Sequence, residues 1–146
     1  MKKANPIRVL IVDDDLSIRR LLRKVMEIIG VEDVIITNDG LSALRIFAEL
    51  KPDVVFTDYL MPEMNGIELI HQMKKQKSRT PVVLYTGKYD KWLQEKIKEE
   101  EFRPDFVLQK PQITLENLTN IMEECFPQEG FRKRYEENIK RITEES

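Results

Sequence analysis

Short apolar runs alternate with longer stretches of helical spacing along the whole chain, and this alternation limits the fold more than any other feature. Residues 7–12, 34–36, 54–57, 82–85 and 106–108 are β-branched or aromatic and short enough for strands. Most are too continuously apolar for a sheet with one wet face, so they read as parallel strands buried on both faces. Between and after them lie helix candidates: 16–29 closed by Gly30, 41–50 closed before Pro52, 67–76, 89–101, and 114–126 stopping at Pro127. β-then-α units in this order predict an open, doubly wound five-stranded α/β sheet with helices on both faces. Its binding crevice lies at the carboxyl ends of the strands.

Composition narrows what that crevice can serve. With 146 residues and 41% hydrophobic content, the chain fits one globular domain with a real core. The 24 Lys+Arg nearly balance the 26 Asp+Glu, which argues against direct nucleic-acid binding and against attraction to an anionic membrane. A single cysteine, Cys125, excludes an internal disulfide, and the only histidine, His71, has no Cys/His cluster around it for zinc. Arg8 and three aspartates interrupt the apolar opening MKKANPIRVLIV, so it reads as neither signal peptide nor membrane span. A cytoplasmic setting is expected.

The predicted strand ends carry matched polar groups. Strand one ends in Asp13, Asp14 and Asp15, strand three in Asp58, strand four in Thr86-Gly87 and strand five in Lys110-Pro111. Each alone has a plain structural explanation. An aspartate before a helix is a common N-cap, and that reading takes Asp15. What it leaves unexplained is several acids, one hydroxyl and one ammonium converging on one crevice. Carboxylates about 4 Å apart repel by about 4 kcal/mol at an effective dielectric of about 20. Such a cluster needs a cation.

VLIVDDD, VVFTDYLMPEMNG, YTG and LQKP, in this order and spacing, resemble the receiver domain of two-component response regulators. The resemblance covers residues 7 to about 126. It implies a flavodoxin-like sheet of order 2-1-3-4-5, similar to the chemotaxis response regulator, in a receiver spanning 1–127. It implies a function too: a phosphoryl group is accepted on Asp58 from a sensor histidine kinase, a phosphotransfer protein or a small phosphodonor. The chain is then no enzyme in the ordinary sense but a signalling domain that assists its own phosphorylation and switches conformation to control a partner, as monomer or phosphorylation-dependent dimer. Carried over by position, Asp13, Asp14, Asp58 and the carbonyl of Leu60 match the Mg²⁺ site, with Asp14 the direct ligand and Asp13 acting through water. Thr86 and Lys110 match the groups that meet the phosphoryl oxygens. Pro62 fixes φ, and Gly66 is expected to give the loop conformational freedom. Val107 stands where many members carry an aromatic three residues before the lysine, with Phe106 one earlier.

Two other readings remain beside this one. Asp13-Asp14-Asp15-Leu16-Ser17 also resembles the signature of haloacid-dehalogenase-type phosphohydrolases, which would make Asp13 the nucleophile and leave Asp58 unused. The chain could equally be the receiver fragment of a larger DNA-binding regulator. Beyond the receiver, residues 128–146 place Phe131, Tyr135, Ile139 and Ile142 at helical spacing among balanced charges, which predicts a charged amphipathic helix or a linker. Trp92 and Leu93 are expected to pack inward, Cys125 to join the core, and His71 to be solvated.

Overall fold

Residues 6–145 are described by the computed structural model; residues 1–5, with which the expected 1–127 unit opens, lie outside the described residues, as does Ser146. The chain runs β1 (Arg8–Val12), α1 (Leu16–Ile29), β2 (Asp33–Thr37), α2 (Gly40–Leu50), β3 (Val54–Asp58), α3 (Gly66–Lys74), β4 (Val82–Thr86) and α4 (Lys91–Glu99). It continues with β5 (Phe106–Gln109), a 3-10 turn (Lys110–Gln112), α5 (Leu115–Cys125) and α6 (Phe131–Glu145). The strands pair in parallel in the order β2-β1-β3-β4-β5, as the receiver resemblance implies.

Side-chain acceptors set the helix starts. Asp15, Asp39, Asn65, Asp90 and Thr114 each accept a backbone N–H from the first turn of α1 to α5 in order. Each satisfies a donor that the helix itself leaves unpaired. This corrects the fourth helix, which begins at Lys91 after its Asp90 cap rather than at residue 89. Gly30 ends α1 at φ 98°, a left-handed cap that any Cβ would strain.

Strand alternation divides the core in two. Val9, Ile11, Phe56, Val83 and Tyr85 pack with α1, α5 and Phe131, whereas Leu10, Val12, Val55, Val82 and Leu84 pack with α2, α3 and α4. β1, β3 and β4 are therefore covered on both faces, and the edge strands β2 and β5 are half-buried. Arg8, the charge inside the first apolar run, sits at the sheet's amino end. There its Nε meets Asp33 at 2.8 Å and its Nη1 donates to the Leu50 carbonyl at 2.6 Å.

The C-terminal segment is a helix laid across α1 and α5. Phe131 is buried against the α1/α5 core, Arg134 donates to the Gly30 carbonyl at 2.7 Å, and Asn138 donates to the Ile28 carbonyl at 2.9 Å. Leu93 packs inward as expected, but Trp92 is 62% exposed, because neighbouring residues of a helix point about 100° apart and Leu93 takes the inward face. His71 is half-buried, its ring meeting Phe102 edge-on at 5.1 Å, rather than fully solvated. Cys125 is also half-buried against the core, where burial pushes its thiol up to about 11 and keeps it protonated.

Candidate functional site

Register brings the acids together. β1 and β3 are neighbours with Val12 beside Thr57, so the next residues, Asp13 and Asp58, emerge side by side at the carboxyl end of the sheet. Both are buried, Asp14 is exposed, and ligand oxygens of Asp13, Asp14 and Asp58 all lie within 4.8 Å of one another. The Lys110 ammonium, delivered by the turn after β5, is 3.5 Å from Asp58 Oδ2. Thr86, the last residue of β4, is buried beside them, and its hydroxyl exchanges hydrogen bonds of 3.3 Å with the Lys88 backbone. A cleft of about 360 Å³ joins Asp58, Leu60, Thr86 and Lys110, with Trp92 on its wall. The structure thus brings every residue anticipated for the site to one place, with the Leu60 side chain 69% exposed at the rim.

Crowding and burial show in the protonation behaviour. Burial, and then the charge of Asp13, push Asp58 up to about 6, with Lys110 acting in the opposite direction. Burial also raises Asp13, against the lowering effect of hydrogen bonds from the Asp15 N–H and Tyr85. The Tyr85 phenol is pushed well above its usual value by burial and by the same carboxylates, so it remains a donor.

A stability prediction follows from Asp58. Its folded carboxyl prefers the proton, so in metal-free protein its contribution to stability is fully present below about pH 4. It is lost as pH rises through about 6. The expected loss across that window is about 2–3 kcal/mol, and it should be missing from Asp58→Asn. Urea unfolding of both proteins at a series of pH values in chelator checks this; parallel curves would refute it.

Gly66 has a different role from the one expected. It is the first residue of α3, and a Cβ there would lie 2.4 Å from the Asp58 carbonyl oxygen and 2.6 Å from Leu84 Cδ1. Close approach, not a special φ, demands glycine. The left-handed residue of this loop is Glu63, at φ 68°, spanned by a 2.7 Å bond from Met64 N–H to the Pro62 carbonyl. On β5, Val107 packs toward the α2–α4 layer and Phe106 toward the opposite core, so Phe106 does not replace the missing aromatic.

Geometry also bears on the hydrolase reading left open above. Asp15, the second carboxylate that the hydrolase signature requires, is exposed and accepts the Ser17 N–H at 2.8 Å as the cap of α1. It is not a member of the acidic cluster, and Asp58 is. Two participants escaped sequence reasoning. Arg19 donates to the Asp13 carbonyl at 2.7 Å, and the Tyr85 hydroxyl donates to Asp13 Oδ2 at 2.8 Å. The available signal for Tyr85 was a polar tip in an otherwise aliphatic strand, directly before Thr86.

Comparison with known proteins identifies the family. Residues 9–123 match the family model of the response regulator receiver domain. The regulatory protein AtoC of Escherichia coli (strain K12) is 44% identical over 80 residues, covering 55% of this chain and 17% of that protein. The response regulator MprA of Mycobacterium sp. (strain KMS) is 29% identical over 128 residues, covering 86% and 54%. This chain therefore spans about half or less of these curated relatives. Among solved structures, the Francisella response regulator 1452 receiver domain aligns with a TM-score of 0.73 at 28% identity, over 85% of this chain and 98% of that one. Sequence, sheet order and crevice converge on one conclusion: the chain belongs to the response regulator receiver domain family.

Proposed function

We propose that Asp58 accepts a phosphoryl group from a histidine kinase or a small phosphodonor, in a reaction that requires Mg²⁺. The observation that carries this reading is the buried Asp58 carboxylate, clustered with Asp13 and Asp14 and 3.5 Å from the Lys110 ammonium. Asp13, Asp14, Asp58 and the carbonyl of Leu60 would hold the ion, and an all-oxygen donor set suits a hard cation that keeps several waters. Bound Mg²⁺ supplies neutralisation of charge on the phosphoryl oxygens.

The rest is chemistry of the chain's own groups. An Asp58 oxygen attacks phosphorus in line; the new O–P bond forms as the bond to the leaving group breaks, and its electron pair departs with imidazole or acetate. Lys110 pairs with one phosphoryl oxygen. Thr86 turns its hydroxyl from Lys88 to another, which transmits occupancy to the β4–α4 loop. The family reading also carries a cytoplasmic location and control of a downstream partner, by a monomer or a phosphorylation-dependent dimer. Intact mass after incubation with acetyl phosphate tests the proposal: one hydroxylamine-labile phosphoryl group is expected with Mg²⁺, and no adduct under any Mg²⁺ concentration would end it.

The ligand roles have their own test. Asp14 is exposed within the acidic cluster, whereas Asp15 is committed to its helix cap. Asp14→Ala is therefore expected to weaken Mg²⁺ binding about tenfold or more, and Asp15→Ala by less than about twofold. Calorimetric titration decides, and equal losses would overturn the assignment.

A further inference from the structure

We infer that Tyr85 is a positioning residue of the metal site, acting through Asp13. The inference rests on the proposed role of Asp13 but concerns a residue of the β4 core to which the YTG motif gives no role of its own. Tyr85 rises from β4 on the α1/α5 side of the sheet, fully buried among core side chains that include Phe56 and Val83. To reach Asp13 its side chain crosses over β3, since β4 and β1 are not neighbours and lie roughly 9–10 Å apart. At the end of that reach its hydroxyl donates to Asp13 Oδ2 at 2.8 Å, and the Val12 carbonyl at 3.4 Å is a poorer second acceptor.

Asp13 is thereby held at both oxygens. Oδ1 accepts the Asp15 N–H at 2.8 Å and Oδ2 accepts the phenol, so the carboxylate has one orientation and a lone pair of each oxygen is already used. A donor to a buried carboxylate makes a charge-assisted bond, stronger than a neutral one. It keeps an anion in place beside Asp58 where burial disfavours it. The consequence is a division of labour: Asp13 is aimed and partly saturated, suited to hold a metal-bound water, while the exposed Asp14 carboxylate of the same cluster is left to the ion itself. The backbone of Tyr85 reinforces the link, because its carbonyl accepts the Tyr59 N–H at 2.9 Å, directly after Asp58.

A buried tyrosine that merely satisfies its hydroxyl on the nearest acceptor predicts a different outcome, and a double-mutant cycle distinguishes the two. Calorimetric Mg²⁺ titration of the whole chain is expected to show about tenfold weaker binding in Tyr85→Phe. The double variant Tyr85→Phe/Asp13→Asn should bind no more weakly than Asp13→Asn. If the two losses multiply, or if Tyr85→Phe binds as wild type while Asp13→Asn is weakened, Tyr85 has no such role and the metal-site reading stands. If Asp13→Asn itself binds as wild type, that reading fails and this inference fails with it. A second measurement is independent of whether Tyr85→Phe folds: with ¹³Cζ-tyrosine, the Tyr85 resonance should shift on Mg²⁺ addition in wild type and not in Asp13→Asn. A resonance unmoved by saturating Mg²⁺ in wild type overturns the inference.

Discussion

Asp58→Asn is expected to abolish the phosphoryl adduct completely, while the variant remains folded and unfolds at or above the wild-type urea concentration in metal-free buffer. The substitution is isosteric and removes the attacking anion, and no other carboxylate of the cluster holds its position beside Lys110. Asp13→Asn should reduce the adduct without eliminating it, because Asp13 touches the metal environment and not phosphorus. Lys110→Ala should retain an adduct but lose most of the conformational response, since the ammonium is the group through which the strand-five end senses the phosphate. Short incubation with acetyl phosphate and Mg²⁺, followed by intact-protein mass spectrometry, reads all three. The hydrolase reading makes the opposite forecast, with Asp13 labelled and phosphate esters turned over repeatedly. An adduct persisting in Asp58→Asn and missing from Asp13→Asn would show that the nucleophile sits on β1.

The parts of this site that were legible in the sequence are those determined by chain-local position. A residue that ends or directly follows a parallel strand arrives at the crevice whatever else the fold does, which is why Asp13, Asp58, Thr86 and Lys110 could be named from strand ends alone. Sheet order came from the resemblance, and β1–β3 adjacency then sets Asp13 beside Asp58. Tyr85 shows what strand ends do not reveal. Its partner lies two strands away, and only the combined register of β1, β3 and β4 makes that reach possible. Gly66 was noticed for a plausible but mistaken reason, because an Asn-Gly pair advertises a turn, and the contact with the Asp58 carbonyl exists only in three dimensions. Trp92 was misplaced because it was grouped with its neighbour Leu93, whereas the buried stripe of α4 is Leu93 and Ile97, at i and i+4, and an adjacent residue cannot share that face.

The second large effect belongs to α6. A narrow apolar stripe in so charged a helix cannot hold it folded alone, so its stability must come from the surface it covers. Phe131 is 1% exposed within the α1/α5 core, meets Phe126 edge-on at 6.3 Å, and has the Arg134 guanidinium 4.5 Å above its ring. Arg134 in turn caps the carbonyl of Gly30, where α1 ends, so the phenyl ring and the α1 terminus are held by the same side chain. Phe131→Ala is therefore expected to destabilise the protein by about 3–5 kcal/mol, through lost burial and the cavity left behind. The acidic cluster lies at the other end of the sheet's strands, at the end of β3 and just after β1, and Phe131 touches none of it. Phosphoryl uptake per folded molecule should then stay within about twofold of wild type, since sites without shared contacts behave additively. Urea unfolding gives the first quantity and mass spectrometry below the unfolding transition gives the second. A Phe131→Ala protein as stable as wild type would mean that α6 is carried by the receiver without supporting it. A stable variant unable to take up phosphate would mean instead that α6 and the site are coupled through α1, whose first turn follows Asp13 to Asp15.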